Sequence, residues 1–379
     1  CSSDLGLQRY RSEGRRRGVD PAVLANAVEA VRRIRAVDAR LAPILTLRHL
    51  SQATGIPYGF LRRSVGRKAT LGYRFIYLKK RVPGRRSVRQ ICIPSKSLMA
   101  PQQWLVAHIL RFTQAHPASF AFHPDSSPVR AAEEHCGCQW LLKIDLEDFF
   151  HTVSEGQIAE VFTRLGYQRL LAFELARLVT IPVERLKMPP HPALRWVKIP
   201  YYQYPYEGFL PQGAPTSPML SNLVMFDTDV KLAALAEAHG LTYTRYADDL
   251  AFSCRDDRGA AAMQAFKRLV FAELNAAGFR PNRRKTVLRG PGARRVVLGL
   301  LVDTDRVRLP KEAKDNLRLH LYYLTSPEHG PIAHAKARKT STSSLYHHVR
   351  GLISWAESVE PVYRSEEHTS ELQSHSDLV

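Results

Sequence analysis

The chain of 379 residues is 45% hydrophobic, 9% aromatic and 24% charged. That balance supports a buried core in two or three units of ~100–200 residues and excludes disorder throughout. No run approaches the ~18–20 apolar residues of a membrane span. Lys and Arg number 55 against 35 Asp and Glu, a formal charge of +20, so the surface is expected to attract a polyanion, nucleic acid ahead of anionic lipid. Five scattered cysteines, Cys1, Cys92, Cys136, Cys138 and Cys254, do not make a disulfide framework, and no signal peptide is recognised; the expectation is a reducing cytoplasm and no membrane partner.

In chain order, Asp20-Pro21 reads as an N-cap and N1 pair before a helix whose apolar positions are Val23, Ala27, Ala30, Ile34 and Val37, with Arg32, Arg33 and Arg35 between them. Residues 46–64 read as two short helices around Gly55-Ile56-Pro57, either a helix-turn-helix reader or an N-terminal helical layer; the layer is the preferred reading. Tyr73 to Pro94 alternates like a β-hairpin with a turn at Pro83-Gly84. Its tip gathers Lys79, Lys80, Arg81, Arg85, Arg86 and Arg89, a phosphate-binding cluster or a solvated basic turn. Pro101 is expected to open the next helix, which carries Trp104, Leu105, His108, Ile109 and Phe112.

The apolar run Trp140–Ile144 predicts a buried strand ending in Asp145-Leu-Glu-Asp-Phe-Phe150, and Ser154 with Gln157 predicts a capping box before a helix. Ser217-Pro218 predicts another helix start, with Met219, Leu223, Phe226, Val230 and Ala233 along one face until Gly240. A strand over 241–246, a turn at Ala247-Asp248 and a returning strand over 249–253 form a tight hairpin. A helix over 258–277, strands within 294–303 and basic helices over 310–360 complete an α+β order without repeats.

The chemistry lies in the carboxylates. Side chains alternate along a strand, but a hairpin turn breaks the alternation, so Asp248 and Asp249 could both face Asp145 on a neighbouring strand. Three such groups would repel one another and take up protons unless a hard divalent cation such as magnesium neutralised them. Two such ions ~3.5–4 Å apart are the usual device for in-line phosphoryl transfer. Taken singly, an Asp-Asp pair at a turn is more often turn chemistry.

Tyr246-Ala-Asp-Asp249 after an apolar strand resembles the catalytic loop of reverse transcriptases, and Asp145-Leu-Glu-Asp-Phe-Phe150 resembles their first aspartate motif. Between them, Leu210-Pro-Gln-Gly-Ala-Pro-Thr-Ser-Pro-Met-Leu-Ser-Asn222 resembles the segment beneath the incoming nucleotide. The three motifs follow the family's order, and the likeness, strongest to bacterial retron-type enzymes, extends from about Pro43 to Tyr363. It implies an α+β right-hand polymerase with an N-terminal helical region at 1–66, fingers at 67–135, a palm with an antiparallel sheet at 136–303 and a thumb at 304–363.

The resemblance further implies an RNA-directed DNA polymerase that extends a primer 3′-hydroxyl with deoxynucleoside triphosphates on an RNA template, using two Mg2+ ions. Asp145, Asp248, Asp249 and the carbonyl of Leu146 would hold the metal; Phe150 would be the steric gate against a 2′-hydroxyl. Gln212 would line the nucleotide pocket, the backbone of Asp148 would face the triphosphate, and Arg89 and Lys80 would grip it. Lys285, in Asn282-Arg-Arg-Lys285, would protonate departing pyrophosphate. Val297-Leu-Gly299 falls at the primer grip, and Lys311, Lys314, Arg318, Lys336, Arg338, Lys339 and Arg350 would track the primer-template backbone. Further implied partners are a retron noncoding RNA and an effector protein in antiphage defence. Other readings are a group II intron-like polymerase, one making untemplated DNA, and a non-catalytic RNA-binding module of the same fold.

The sequence departs from the retron pattern in three places. It has no Asn-Ala-x-x-His before the nucleotide-pocket motif, Leu298 stands where Thr is usual at the primer grip, and Gly84-Arg85 replaces paired glycines at the fingers turn. His135-Cys136-Gly-Cys138 lacks a second ligand pair, so a structural or free-thiol role is expected ahead of zinc. Tyr201, Tyr202, Tyr204 and Tyr206 suit base stacking or a packed loop. The start at Cys1 suggests a missing N-terminal segment. From Arg364 the chain resembles a translated sequencing adapter, so residues 364–379 are expected to be an artefact that truncates the thumb.

Overall fold

The site is positioned by a four-stranded antiparallel sheet ordered β6-β7-β3-β8, formed by β3 (Trp140–Asp145), β6 (Thr242–Tyr246), β7 (Asp249–Cys254) and β8 (Val287–Arg289). A computed structural model describes residues 2–67, 72–82, 85–182 and 208–361, with backbone alone at 2–5, 79–82 and 85–88. The hairpin turn at Pro83-Gly84, the four tyrosines at 201–206 and the tail at 364–379 lie outside the described residues. The fourth strand, β8, is not anticipated by the sequence reading, because three residues give no periodicity to count.

Four helices open the chain: α1 (Ser2–Arg16), α2 (Pro21–Val37), α3 (Leu47–Thr54) and α4 (Tyr58–Val65). Helix α2 starts where expected, with the Asp20 side chain accepting the Ala22 N–H at 2.7 Å. Its buried face keeps Ala30 and Ile34 of the expected set but is otherwise shifted by one position: Leu24, Val28 and Val31 are inside, while Val23 and Val37 are exposed. The spacing fits both sets, and only packing selects the bulkier stripe. Helix α3 lies against α5 (Lys96–His108) and α4 against α9 (Arg169–Val179), with Leu47, Leu50, Leu61 and Val65 in the main core. This is the expected layer.

Strands β1 (Tyr73–Val82) and β2 (Arg85–Pro94) form the hairpin, paired from Tyr73–Pro94 to Val82–Arg85. Helix α5 begins at Lys96 rather than at Pro101, which lies inside it; Ser95 precedes a turn of good helix formers and is itself a sound cap type, a signal outweighed in the sequence reading by the proline. A 3-10 turn (Leu110–Phe112) and α6 (Pro128–Glu133) lead into β3.

After β3 come α7 (Phe149–Thr152), α8 (Glu155–Arg164), α9, and the two-residue strands β4 (Ile181–Pro182) and β5 (Gly208–Phe209), which pair with each other. Both hydrogen bonds of the Ser154/Gln157 capping box are present at the start of α8. Helix α10 (Ser217–Ala238) has Thr216 at the N-cap position, one residue before the expected Ser217 and without a capping side-chain hydrogen bond, while the Ser217 hydroxyl donates to the Pro211 carbonyl at 2.7 Å. Its buried face is Leu220, Asn222, Met225, Asp229, Leu232 and Ala236, whereas Val230, expected inside, is 46% exposed. Buried polar residues on that face hide it from a hydrophobic-periodicity count.

Helix α11 (Gly259–Ala276) covers one face of the sheet, where Leu142 and Ile144 enter the main core. Leu141, on the face shared with Asp145, joins a second core with Val297, Leu300, Val302, Leu309, Leu317, Leu321, Leu345 and Val349. That core unites the β9 (Val296–Val297) and β10 (Leu300–Leu301) hairpin with α12 (Lys311–Thr325), α13 (Gly330–Ala337) and α14 (Thr342–Val359). Among the described residues no helix is long and apolar enough to cross a membrane.

Candidate active site

Asp145 is the last residue of β3 and stands directly opposite Asp249, the first of β7. Cross-strand partners share a sheet face, so both carboxylates project to the same side. The Leu146 N–H donates to the Asp248 carbonyl at 3.0 Å, which locks the hairpin turn onto the end of β3. Ala247 takes a left-handed φ of 57°, the step that swings Asp248 out of the strand alternation.

Burial and the neighbouring Asp145 charge hold the Asp248 carboxyl above its ordinary range, partly offset by Lys285 and Arg89. Burial, then the charges of Asp248 and Asp145, pushes Asp249 up to about 6. Asp145 instead receives cationic and amide donors. Lys285 Nζ donates to its two oxygens at 2.8 and 3.0 Å, and Asn282 Nδ2 to Oδ2 at 3.1 Å. The Lys285 ammonium is held protonated above its ordinary range by that hydrogen bond.

The donor set, carboxylate and carbonyl oxygen only, suits a hard divalent cation. With Asp145 engaged by Lys285 and Asn282, no three acidic, histidine or cysteine side chains among the described residues close into a metal-holding group. Register puts Asp145 and Asp249 on one sheet face and the three carboxylates feel one another's charge, but among the described residues they do not form the closed ligand cluster that the sequence expectation of one shared pocket describes.

Asp148 has a left-handed φ of 47° and caps the one-turn helix α7, its carbonyl accepting the His151 N–H at 2.7 Å. Phe150 is half-buried between Phe149, ring centroids 5.5 Å apart, and Phe122, 6.0 Å apart. The carbonyl of Gln212 accepts the Cys92 N–H at 2.7 Å and so ties the Leu210–Asn222 segment to β2. Gly213 has φ 112°, and a Cβ there would stand 2.8 Å from Ile91 Cγ2, so glycine is required for this approach. Arg89 lies two residues from Ile91 on the same strand face, is exposed, and is near enough to Asp248 to favour its charged form. Lys80 pairs with Ser87 in the hairpin register, but its side chain lies outside the described residues. Leu298 and Gly299, both left-handed with φ 49° and 84°, make the tight β9–β10 turn.

One group beneath the loop escapes the sequence reading. Arg245, fully buried beside Tyr246, donates to both oxygens of the fully buried Asp229 at 2.8 and 2.6 Å. It also donates to Asn222 Oδ1 at 3.0 Å and to the Ala247 carbonyl at 3.2 Å. The available signal was a charged residue in phase with inward-facing Tyr243 and Ala247.

The His135-Cys-Gly-Cys138 segment is structural, as preferred. Both ring nitrogens of His135 lie 2.7 Å from hydroxyls, those of Ser253 and Thr244, and burial lowers the imidazole to about 4. Cys136 and Cys138 are buried free thiols pushed up by burial.

Comparison with known proteins follows the same outline. The family described as reverse transcriptase (RNA-dependent DNA polymerase) matches residues 78–300. Retron Ec86 reverse transcriptase of Escherichia coli is 30% identical over 325 residues, 85% of this chain and 92% of that protein. Retron Mx65 reverse transcriptase of Myxococcus xanthus is 31% identical over 313 residues, 82% of this chain and 68% of that protein. A telomerase structure from Candida albicans aligns over 69% of this chain and 50% of that one, with a TM-score of 0.43 and 13% identity.

Proposed function

The chain belongs to the retron-type reverse transcriptases, RNA-directed DNA polymerases with the α+β right-hand fold, and from that membership we propose how its own residues carry the reaction. The observation that carries the reading is the register of Asp145 against Asp249 with the Asp248 carbonyl bonded to Leu146. Divalent-metal dependence goes with the family; here Asp145, Asp248, Asp249 and the Leu146 carbonyl would hold two Mg2+ ions. When bound, such ions supply Lewis-acid activation of the primer 3′-hydroxyl and charge stabilisation at the leaving oxygen.

Arg89, with its planar donor fork and near enough to Asp248 to act on its charge, binds the triphosphate, with Lys80 and the backbone of Asp148 assisting. Gln212 lines the nucleotide pocket, in a segment anchored to β2. The Phe150 ring lies against the sugar and excludes a 2′-hydroxyl. As the primer oxygen bonds to the α-phosphorus and the bond to pyrophosphate breaks, Lys285 gives its proton to the departing pyrophosphate. Lys285, like any lysine near its ordinary range, is charged at neutral pH, and its hydrogen bond to Asp145 holds that proton still more tightly before the site is loaded.

The assigned division is an N-terminal helical region at 1–66, fingers at 67–135, palm at 136–303 and thumb at 304–363. The +20 charge supports contact with the RNA template and the primer duplex backbone. A structured retron RNA, an effector protein, a role in antiphage defence and a cytoplasmic location complete the proposal, supported by the likeness to retron enzymes. The test is primer extension on poly-rA/oligo-dT with Mg2+ and deoxythymidine triphosphate. Wild-type protein is expected to extend the primer and Asp248→Ala to lose at least ~10³-fold of the rate; equal incorporation by both would remove the site assignment.

A further inference from the structure

Phe122 is one of six described non-glycine residues with a left-handed backbone, and the only aromatic one among them. It is a bulky side chain in the left-handed region, φ 68°, and 38% exposed. For a phenylalanine that conformation is an outlier which persists only where the surroundings impose it. The surroundings are visible. The Phe120 N–H donates to the Arg245 carbonyl at 2.8 Å and the Arg245 N–H to the Ala118 carbonyl at 2.7 Å. Ser119 Oγ donates to Asn222 Oδ1 at 3.1 Å, and Asn222 Nδ2 donates to the Ala121 carbonyl at 2.7 Å. His123 Nε2 lies 2.7 Å from the Ser119 carbonyl on the other side.

Residues 118–123 are thus clamped to the strand that carries the Tyr246-Ala-Asp-Asp249 loop and to the helix that follows the nucleotide-pocket segment. The outcome of the clamp is one contact outside it. The Phe122 ring stands 6.0 Å from the Phe150 ring with planes at 47°, a tilted aromatic pair. Phe149 flanks Phe150 at 5.5 Å and is itself buried. Without Phe122, Phe150 would keep only its Phe149 neighbour among these ring contacts, and the half-buried ring would be free to tilt away from its position.

We propose that Phe122 is a specificity-determining residue, the rear wall that stops Phe150 from yielding to a ribose, and that Asn222 positions it through the Ala121 carbonyl. The proposal rests on the reading of Phe150 as the sugar gate. It separates two duties that the sequence motif assigns to one ring: Phe150 meets the sugar, and Phe122 sets how far Phe150 can retreat. Phe122 does not act on the primer, the triphosphate or the metal ligands, so its loss acts on sugar choice more than on deoxynucleotide turnover.

The test is single-nucleotide extension of a DNA primer on an RNA template with Mg2+, comparing kcat/KM for deoxy- and ribonucleotides. The variants are Phe122→Ala, Phe122→Leu, Phe122→Tyr, Phe150→Ala and the Phe122/Phe150 double alanine. Discrimination is the ratio of the two kcat/KM values, so a misfolded fraction lowers both and cancels. Phe122→Ala is expected to lower discrimination by about tenfold, a pocket-shape effect, with deoxynucleotide kcat/KM kept within about threefold. Phe122→Leu should lower it less and Phe122→Tyr should restore it. The double variant should be no more permissive than Phe150→Ala, because the two residues act through one ring. Unchanged discrimination in Phe122→Ala beside a relaxed Phe150→Ala would overturn the wall and leave the gate standing. Unchanged discrimination in both would overturn the gate reading and the wall with it. Additive relaxation in the double variant would overturn action through Phe150.

Discussion

The ammonium of Lys285 bridges both carboxylate oxygens of Asp145, at 2.8 and 3.0 Å, across 140 positions of sequence. The contact holds a proton donor beside a proposed metal ligand, and the donor must leave before the carboxylate can bind an ion. Competition of this kind makes the lysine visible in two separate measurements.

Lys285→Met is expected to strengthen Mg2+ binding to the nucleic-acid-free protein by roughly 3–10-fold, since an opposing cation is removed. The same variant should slow single-turnover extension by about 10²-fold through loss of the proton donor. Calorimetric titration with the metal and rapid-quench kinetics report the two effects. Weaker metal binding by the variant would contradict the competition.

The second prediction concerns pH. Asp249 is pushed up to about 6 from an ordinary 3.8, so the folded, metal-free state holds this proton more tightly than the unfolded chain does. Protonation therefore adds stability that is complete below about pH 4 and lost as pH rises through about 6. Asp249→Asn removes the repulsion at all pH values. In EDTA it is expected to be more stable than wild type by ~1–2 kcal/mol at pH 7.5, a shift of a few degrees in melting temperature, with the gap narrowing toward pH 5. Thermal melts across that range decide the matter; a gap that widens on acidification would refute it.

Arg245 and Asp229 form a fully buried ion pair. Arg245→Ala should cost about 3–5 kcal/mol in urea unfolding, because it strands the Asp229 charge. Arg245→Met combined with Asp229→Leu should recover most of that loss. Polymerase activity should stay reduced in the double variant, since the Ala247 carbonyl has lost its donor. Full recovery of activity would show that the pair serves stability alone.

Binding of an RNA/DNA primer-template should weaken steeply with salt. Lys311, Lys336 and Arg350 are exposed on the C-terminal helices. Replacing the three with Gln is expected to flatten the plot of log affinity against log salt by about 2–3, close to one unit per phosphate contact removed. Fluorescence anisotropy over a salt series measures the slope, and an unchanged slope would place the duplex elsewhere.

Much of this enzyme is written locally in its sequence. The Asp20-Pro21 start, the Ser154/Gln157 capping box, the hairpin around Ala247-Asp248 and the strand into Asp145 depend on neighbouring residues, and each appears where its local signal stands. The reverse transcriptase family was likewise legible, because its three motifs are contiguous runs. What the sequence could not supply is everything that depends on partners far along the chain. The buried stripe of α2, the polar inner face of α10 and the three-residue β8 are chosen by packing, for which periodicity leaves more than one solution. The grip of Lys285 on Asp145, the Arg245–Asp229 pair and the placing of Phe122 against Phe150 join residues 140, 16 and 28 positions apart. Local signals follow from backbone preference and cap chemistry over a few residues; these contacts exist only once the chain has closed on itself, and so the tertiary structure alone decided them.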